Sequence, residues 1–138
     1  MQRSLRILVA ALAILVLSAQ GALAGSPHFV GGISIERDGN SLTVSGKIAG
    51  LGNETQVHVV VTVSAECINP GSKKPQAENK ESFSTEGTFP VQNGKAEFSL
   101  TVTATFQPNC SGPMTIVFSD VTVSDAEHGL SATFAGPF

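Results

Sequence analysis

The chain of 138 residues has no tryptophan and no tyrosine, only two cysteines and two methionines, and 14% charged residues. Each shortage narrows what the protein can do. Without indole or phenol rings the usual platforms for stacking a sugar are missing. Most of the eight phenylalanines alternate with polar residues, as core positions do. Basic residues are few and scattered, and Lys73-Lys74 is the one adjacent pair. Nucleic acid needs a positive stripe, and an anionic membrane surface needs a polybasic cluster, so neither is expected as a partner.

Catalytic and metal signatures are equally sparse. The cysteines are far apart, and His28, His58 and His128 show no paired ligand spacing, which argues against a redox or zinc motif. The three histidines are read as unrelated surface residues. No G-x-S-x-G elbow occurs, and Cys-His catalysis needs a free thiol. Glu66, Glu86, Glu97 and Asp120 offer carboxylates for glycoside hydrolysis, but fall at outward strand positions or in solvated turns. Asp38, Asn40, Asp120, Asp125 and Glu127 lie near strand ends without the dense D-x-D-x-D-G pattern of a calcium loop, and are read as solvated turn residues. No cofactor, metal or catalytic residue is expected, and the chain is read as not an enzyme.

One long apolar run is present, from Ile7 to Ala19, preceded by Arg3 and Arg6 and followed by Ala22-Leu23-Ala24. A basic start, a short apolar middle and a small-x-small end describe a secretory signal peptide. The run is shorter than the ~20 residues of a spanning helix. Residues 1–24 are therefore expected to be removed, leaving 25–138 as one secreted, periplasmic or extracellular domain with no inserted segment. Without Arg3 and Arg6, six basic residues face eleven acids, a net charge of −5.

Across the remaining residues apolar and polar side chains alternate with period two, and helical periodicity is lacking. Strands are expected over 29–37, 41–49, 55–67, 80–91, 95–106, 114–125 and 130–134. Val57, Val59, Val61, Val63, Ala65 and Cys67 share one face of the third, the most β-prone segment. Asn93-Gly94 between two alternating runs predicts a tight primed hairpin joining the fourth and fifth. In the sixth strand Ile116 and Phe118 share one parity, and Val117, Val121 and Val123 the other, which predicts a bulge or a strand covered on both sides. About seven strands in about a hundred residues point to an all-β, immunoglobulin-like antiparallel sandwich, with a small closed barrel as the alternative.

In an exported chain Cys67 and Cys110 pair most simply as one disulfide. With strands three, four and five running up, down and up, both cysteines lie at one end and pin two loops together. The first loop, 68–79, is long, polar and holds two prolines, which makes it a functional suspect; the second is 107–113. The candidate contact residues are Asn69, Ser72, Lys73, Lys74, Gln76, Glu78 and Asn109. Gly46 with Ile48 to Asn53, Asn69-Pro70-Gly71, and Val121 to Asp125 together resemble stretches of small secreted bacterial β-sandwich proteins with one disulfide. The resemblance implies export and this fold, and no active residues. The leading expectation is a non-catalytic binding module that meets a protein or surface partner through these loops. The alternatives are a self-assembling envelope component and a small secreted hydrolase.

Overall fold

The computed structural model describes residues 26–69 and 80–138. Seven strands follow one another along the chain: β1 His28–Asp38, β2 Ser41–Ala49, β3 Gln56–Ile68, β4 Lys80–Pro90, β5 Ala96–Thr103, β6 Thr115–Asp125 and β7 Leu130–Phe134. A single 3-10 turn, Ala126–His128, separates the last two. All pairings are antiparallel, in a three-stranded sheet ordered β1-β2-β5 and a four-stranded sheet ordered β4-β3-β6-β7. This is the expected seven-stranded sandwich. Its fourth strand pairs with the third, whereas in constant-type immunoglobulin domains it sits in the opposite sheet.

The core is the set of inward parities. Val57, Val59, Val61, Val63, Ala65 and Cys67 of β3 are buried, as are Leu42, Val44 and Ile48 of β2. Ala96, Phe98, Leu100 and Val102 of β5 face them, and the same alternation continues through Ala104 and Phe106 beyond the strand. Branched side chains suit this pleated surface because their restricted χ1 costs little there. Outward positions carry hydroxyls that pair across strands, Ser41 with Thr103 and Thr43 with Thr101, both at 2.9 Å.

Two bulges adjust this simple pattern. In β6, Asp120 takes a positive φ of 51°, and the register against β3 slips between Thr62 and Ser64. One extra residue turns the second half of the strand over, so Ile116, Phe118, Val121 and Val123 all face the core. The parity change in the sequence is thus a bulge. In β1 the register against β2 slips between Val30 and Ser34, opposite Gly46. A Cβ on Gly46 would lie 2.9 Å from the Phe98 ring and 3.3 Å from Ile33, so the absence of a side chain there admits both.

The Asn93-Gly94 turn forms, with φ of 54° and 75° and mutual Gln92–Lys95 backbone bonds of 2.8 and 3.0 Å. The expected hairpin does not. Gln92–Lys95 is an isolated bridge, after which β4 and β5 separate into opposite sheets. The backbone groups around the turn bond the β2–β3 connection instead, Leu51 N–H to Gly94 O at 2.9 Å and Val91 N–H to Thr55 O at 3.0 Å. Both strands carry an apolar parity, and facing one another across the core buries both, with Phe89 edge-on to Phe98 at 6.3 Å. Arg37 closes the opposite side: its guanidinium lies over the Phe118 ring, 5.4 Å from the centroid, and bonds Phe138 O at 3.2 Å.

Phe118 is fully buried. Phe118→Ala should cost about 3–5 kcal/mol of unfolding free energy by the usual scale for aromatic truncation. The exposed Thr101→Ala should stay within about 0.5 kcal/mol. Denaturant titrations of the two variants measure the contrast, and equal losses would contradict the assignment of faces.

Candidate functional site

Cys67 ends the inward row of β3, and Cys110 lies in the connection between β5 and β6; the two form a disulfide that closes 43 residues of sequence separation. Closing such a loop removes denatured-state entropy worth about 4 kcal/mol on the chain-entropy account. Met114 packs on the bridge, its Sδ 3.7 Å from Cys67 Sγ. The expected up-down-up geometry holds, and both cysteines sit at one end beside the β1–β2 turn. Asn69 and Asn109 are exposed at that end. Ser72, Lys73, Lys74, Gln76 and Glu78 lie outside the described residues.

Two shallow grooves meet beside the bridge, sharing Asn40, Cys110 and Ile116. One, of ≈350 Å³, runs over Phe106 toward Thr105 and Asn109. The other, of ≈230 Å³, runs toward Arg37, Met114 and Thr115. Phe106 and Ile116 are buried beneath, and Asn40 is fixed by its backbone carbonyl, which accepts the Ala104 N–H at 2.9 Å. The result is an apolar floor with an amide and hydroxyl rim. A larger dent of ≈540 Å³ lies on the three-stranded sheet over Gly46, where the β1 bulge leaves Val30 beside Lys47 and Glu97.

The opposite end holds a cluster that the sequence reading missed. Asp125 is the last residue of β6 and, through the bulge, shares the inward parity of Val121 and Val123; it is 0% exposed rather than solvated. The 3-10 turn brings His128 back over it, Nδ1 to Asp125 Oδ2 at 2.5 Å. From the β2–β3 connection Glu54 Oε2 reaches His128 Nε2 at 2.6 Å. An imidazole between two carboxylates can donate from both nitrogens only as an imidazolium, so this geometry favours the charged ring. Burial of His128 opposes its charge, but the hydrogen bonds and charges of Asp125 and Glu54 outweigh it and raise the pKa above 6.5. Glu127 brings a third carboxylate within 4.8 Å of the Glu54 and His128 ligand atoms. Asp125 Oδ1 is buried with no partner among the described residues.

His128 is therefore neither an isolated nor a plain surface histidine. The D-A-E-H run from Asp125 to His128 was the available signal, since an i,i+3 spacing closes over one 3-10 turn. Glu54, 74 positions away, is brought in only by the topology. The other histidines read as expected. His28 Nδ1 donates to Ser26 O at 2.7 Å, and the half-exposed His58 lies between Thr88 Oγ1 at 3.3 Å and Glu86 at 3.5 Å on an outer sheet face.

The clasp makes stability pH-dependent in a definite direction. A histidine whose folded pKa is raised contributes fully below its unfolded value, about 6.5, and loses that contribution as pH rises through the folded value. Unfolding free energy should therefore fall as pH climbs from about 6.5 through the raised value. His128→Gln should remove that decline. Denaturant titrations at several pH values test this, and identical profiles for the two proteins would contradict it.

No protein-family model and no curated protein matches the chain. Solved structures similar to it include a β-glucuronidase of Bacteroides uniformis, at 12% identity and TM-score 0.39, covering 82% of this chain and 14% of that one. CsgH of R. palustris is 9% identical with TM-score 0.33, covering 79% and 91% of the two chains. A β-glucosidase from Paenibacillus barengoltzii is 14% identical with TM-score 0.31, covering 81% and 13%. The chain thus spans about a seventh of the glucuronidase. At this degree of likeness none of their roles carries over.

Proposed function

We propose that the protein is a non-catalytic binding module that works outside the cytoplasm and engages a protein partner at its disulfide end. The observation that carries this reading is the pair of joined grooves around Asn40, Cys110 and Ile116, with their apolar floor and polar rim. A partner residue with an apolar side chain fits the floor, while its flanking backbone meets Asn109, Thr105 and Thr115. The disulfide supports the reading twice over. It holds the groove wall in one shape, which lowers the ordering cost of binding. It also belongs to an oxidising compartment, as the signal-peptide reading requires.

Thr105 and Asn109 are exposed rim residues. The double variant Thr105→Arg, Asn109→Arg should fill the groove and abolish capture of a partner that the unaltered protein enriches. Thr101→Arg, on the outer sheet face, should leave capture intact. Deleting 72–78 should weaken capture and spare folding. A partner held equally by all these variants would overturn the reading.

A second reading, a self-assembling envelope component, is favoured by the edge of β5. That strand pairs only with β2, and Glu97 is its one charged residue, so its other edge offers a nearly uncharged row of backbone groups. Self-assembly predicts that the elution volume on size exclusion shifts with concentration and that Ser99→Lys or Thr101→Lys, both at exposed positions of β5, suppresses the shift. A concentration-independent monomer counts against it.

A further inference from the structure

We infer that Glu54, Glu127 and His128 form a binding site for a divalent transition-metal cation of the zinc class, with the buried Asp125 as the group that orients its histidine. The three ligand atoms come from two separate connections at the end opposite the disulfide and lie within 4.8 Å of one another. Proximity of acids alone would mean little. The independent observation is Asp125. It is fully buried behind the histidine, at the core end of β6, and takes no part in the ligand set itself.

Metal-binding histidines almost always give their second ring N–H to a carboxylate or carbonyl, which fixes the ring and makes the ligating nitrogen more basic. Asp125 Oδ2, 2.5 Å from Nδ1, does this to His128, leaving Nε2 turned toward Glu54. The second oxygen, Oδ1, is buried and unpartnered among the described residues. Burying an acid there is costly unless its charge is matched. Three carboxylates, of Glu54, Asp125 and Glu127, surround a single imidazolium, so the cluster keeps an excess of negative charge. A dication taking the place of the Nε2 proton lowers that excess from −2 to −1.

The donor set also selects the ion. Imidazole nitrogen with carboxylate oxygen suits zinc and its neighbours, whereas calcium and magnesium take oxygen alone. Zinc bonds of about 2.0–2.2 Å to N and O place neighbouring ligand atoms a little over 3 Å apart. Glu54 Oε2, at 2.6 Å from Nε2, then has to move outward by less than about an ångström. Its side chain is 42% exposed and free to do so. Three protein ligands leave a further position open to water or to a ligand atom from outside the chain.

The test uses the protein without a histidine tag, stripped with chelator, and titrated calorimetrically with zinc chloride or calcium chloride. The expected result is one zinc ion per chain, a raised melting temperature and no comparable response to calcium. His128→Gln should abolish binding, but it also opens the clasp. Glu127→Gln decides the matter, because Glu127 makes no ion pair or hydrogen bond among the described residues. That variant should melt like the unaltered protein without metal and bind zinc at least about tenfold more weakly. His58→Gln, on a sheet face, should bind as the unaltered protein does. Zinc affinity unchanged by Glu127→Gln, a loss of binding with His58→Gln, or calcium binding as tightly as zinc would overturn the assignment.

Discussion

β3 gives one row of side chains, Val57 through Cys67, to the core and both of its backbone edges to neighbours, β4 on one side and β6 on the other. β2 and β6 are also paired on both edges, but neither buries so long a row. The pleat has a strict period of two, so a slip of one residue in β3 would turn six buried side chains to solvent. The register of the four-stranded sheet follows from that, and so does the position of Cys67 at the strand's end. The facing sheet is held by burial rather than by hydrogen bonds to β3, with Leu42, Val44, Ile48, Phe98 and Leu100 filling the space opposite.

A sandwich held in this way is secure in its middle and weakest at its ends, where ladders stop and connections must satisfy their own backbone groups. This chain ties both ends covalently or electrostatically. At one, the Cys67–Cys110 bridge joins the end of β3 to the β5–β6 connection. At the other, Asp125, His128 and Glu54 join the β6–β7 turn to the β2–β3 connection. The two devices differ in kind. A disulfide acts largely through the unfolded chain, whereas a buried carboxylate is a liability that its partner must match. An apolar residue at position 125 would continue the inward row of Val121 and Val123 at no electrostatic cost. Retaining an acid there stabilises only in combination with His128, and that dependence is what makes the site responsive to pH.

The parts of the fold readable from residues alone were those governed by a local period. Strand alternation placed all seven strands, and compartment with strand order placed the disulfide. The Asn93-Gly94 signal specified its turn correctly and its surroundings wrongly. Turn chemistry fixes four residues, whereas the choice between pairing β5 beside β4 or across the core depends on where two apolar faces can be buried. The parity change in β6 left two outcomes open, and only the register against β3 showed which held. Asp125, read as a solvated turn residue at a strand end, is instead the last inward position of β6, because the extra residue at Asp120 gives it the parity of Val121 and Val123. The 3-10 turn then sets His128 over that buried acid, which the spacing of the histidines alone did not show. The candidate groove stayed hidden because Arg37, Asn40, Thr105 and Ile116 come from four segments.

The proposed partner groove and the proposed cation site lie at opposite ends and share no residue. Coupling between such sites requires an element with two arrangements that both sites bias. The connecting elements are β3 and β6, paired along most of their length with their inward side chains buried, and a packed core does not deform continuously. The irregularity in these two strands is the bulge at Asp120, whose N–H is held by Ala135 O at 3.1 Å. The structure shows one arrangement there, so occupancy of one end should leave affinity at the other unchanged, and free-energy changes at the two ends should add. The span of β3 thus separates the two proposed sites in space.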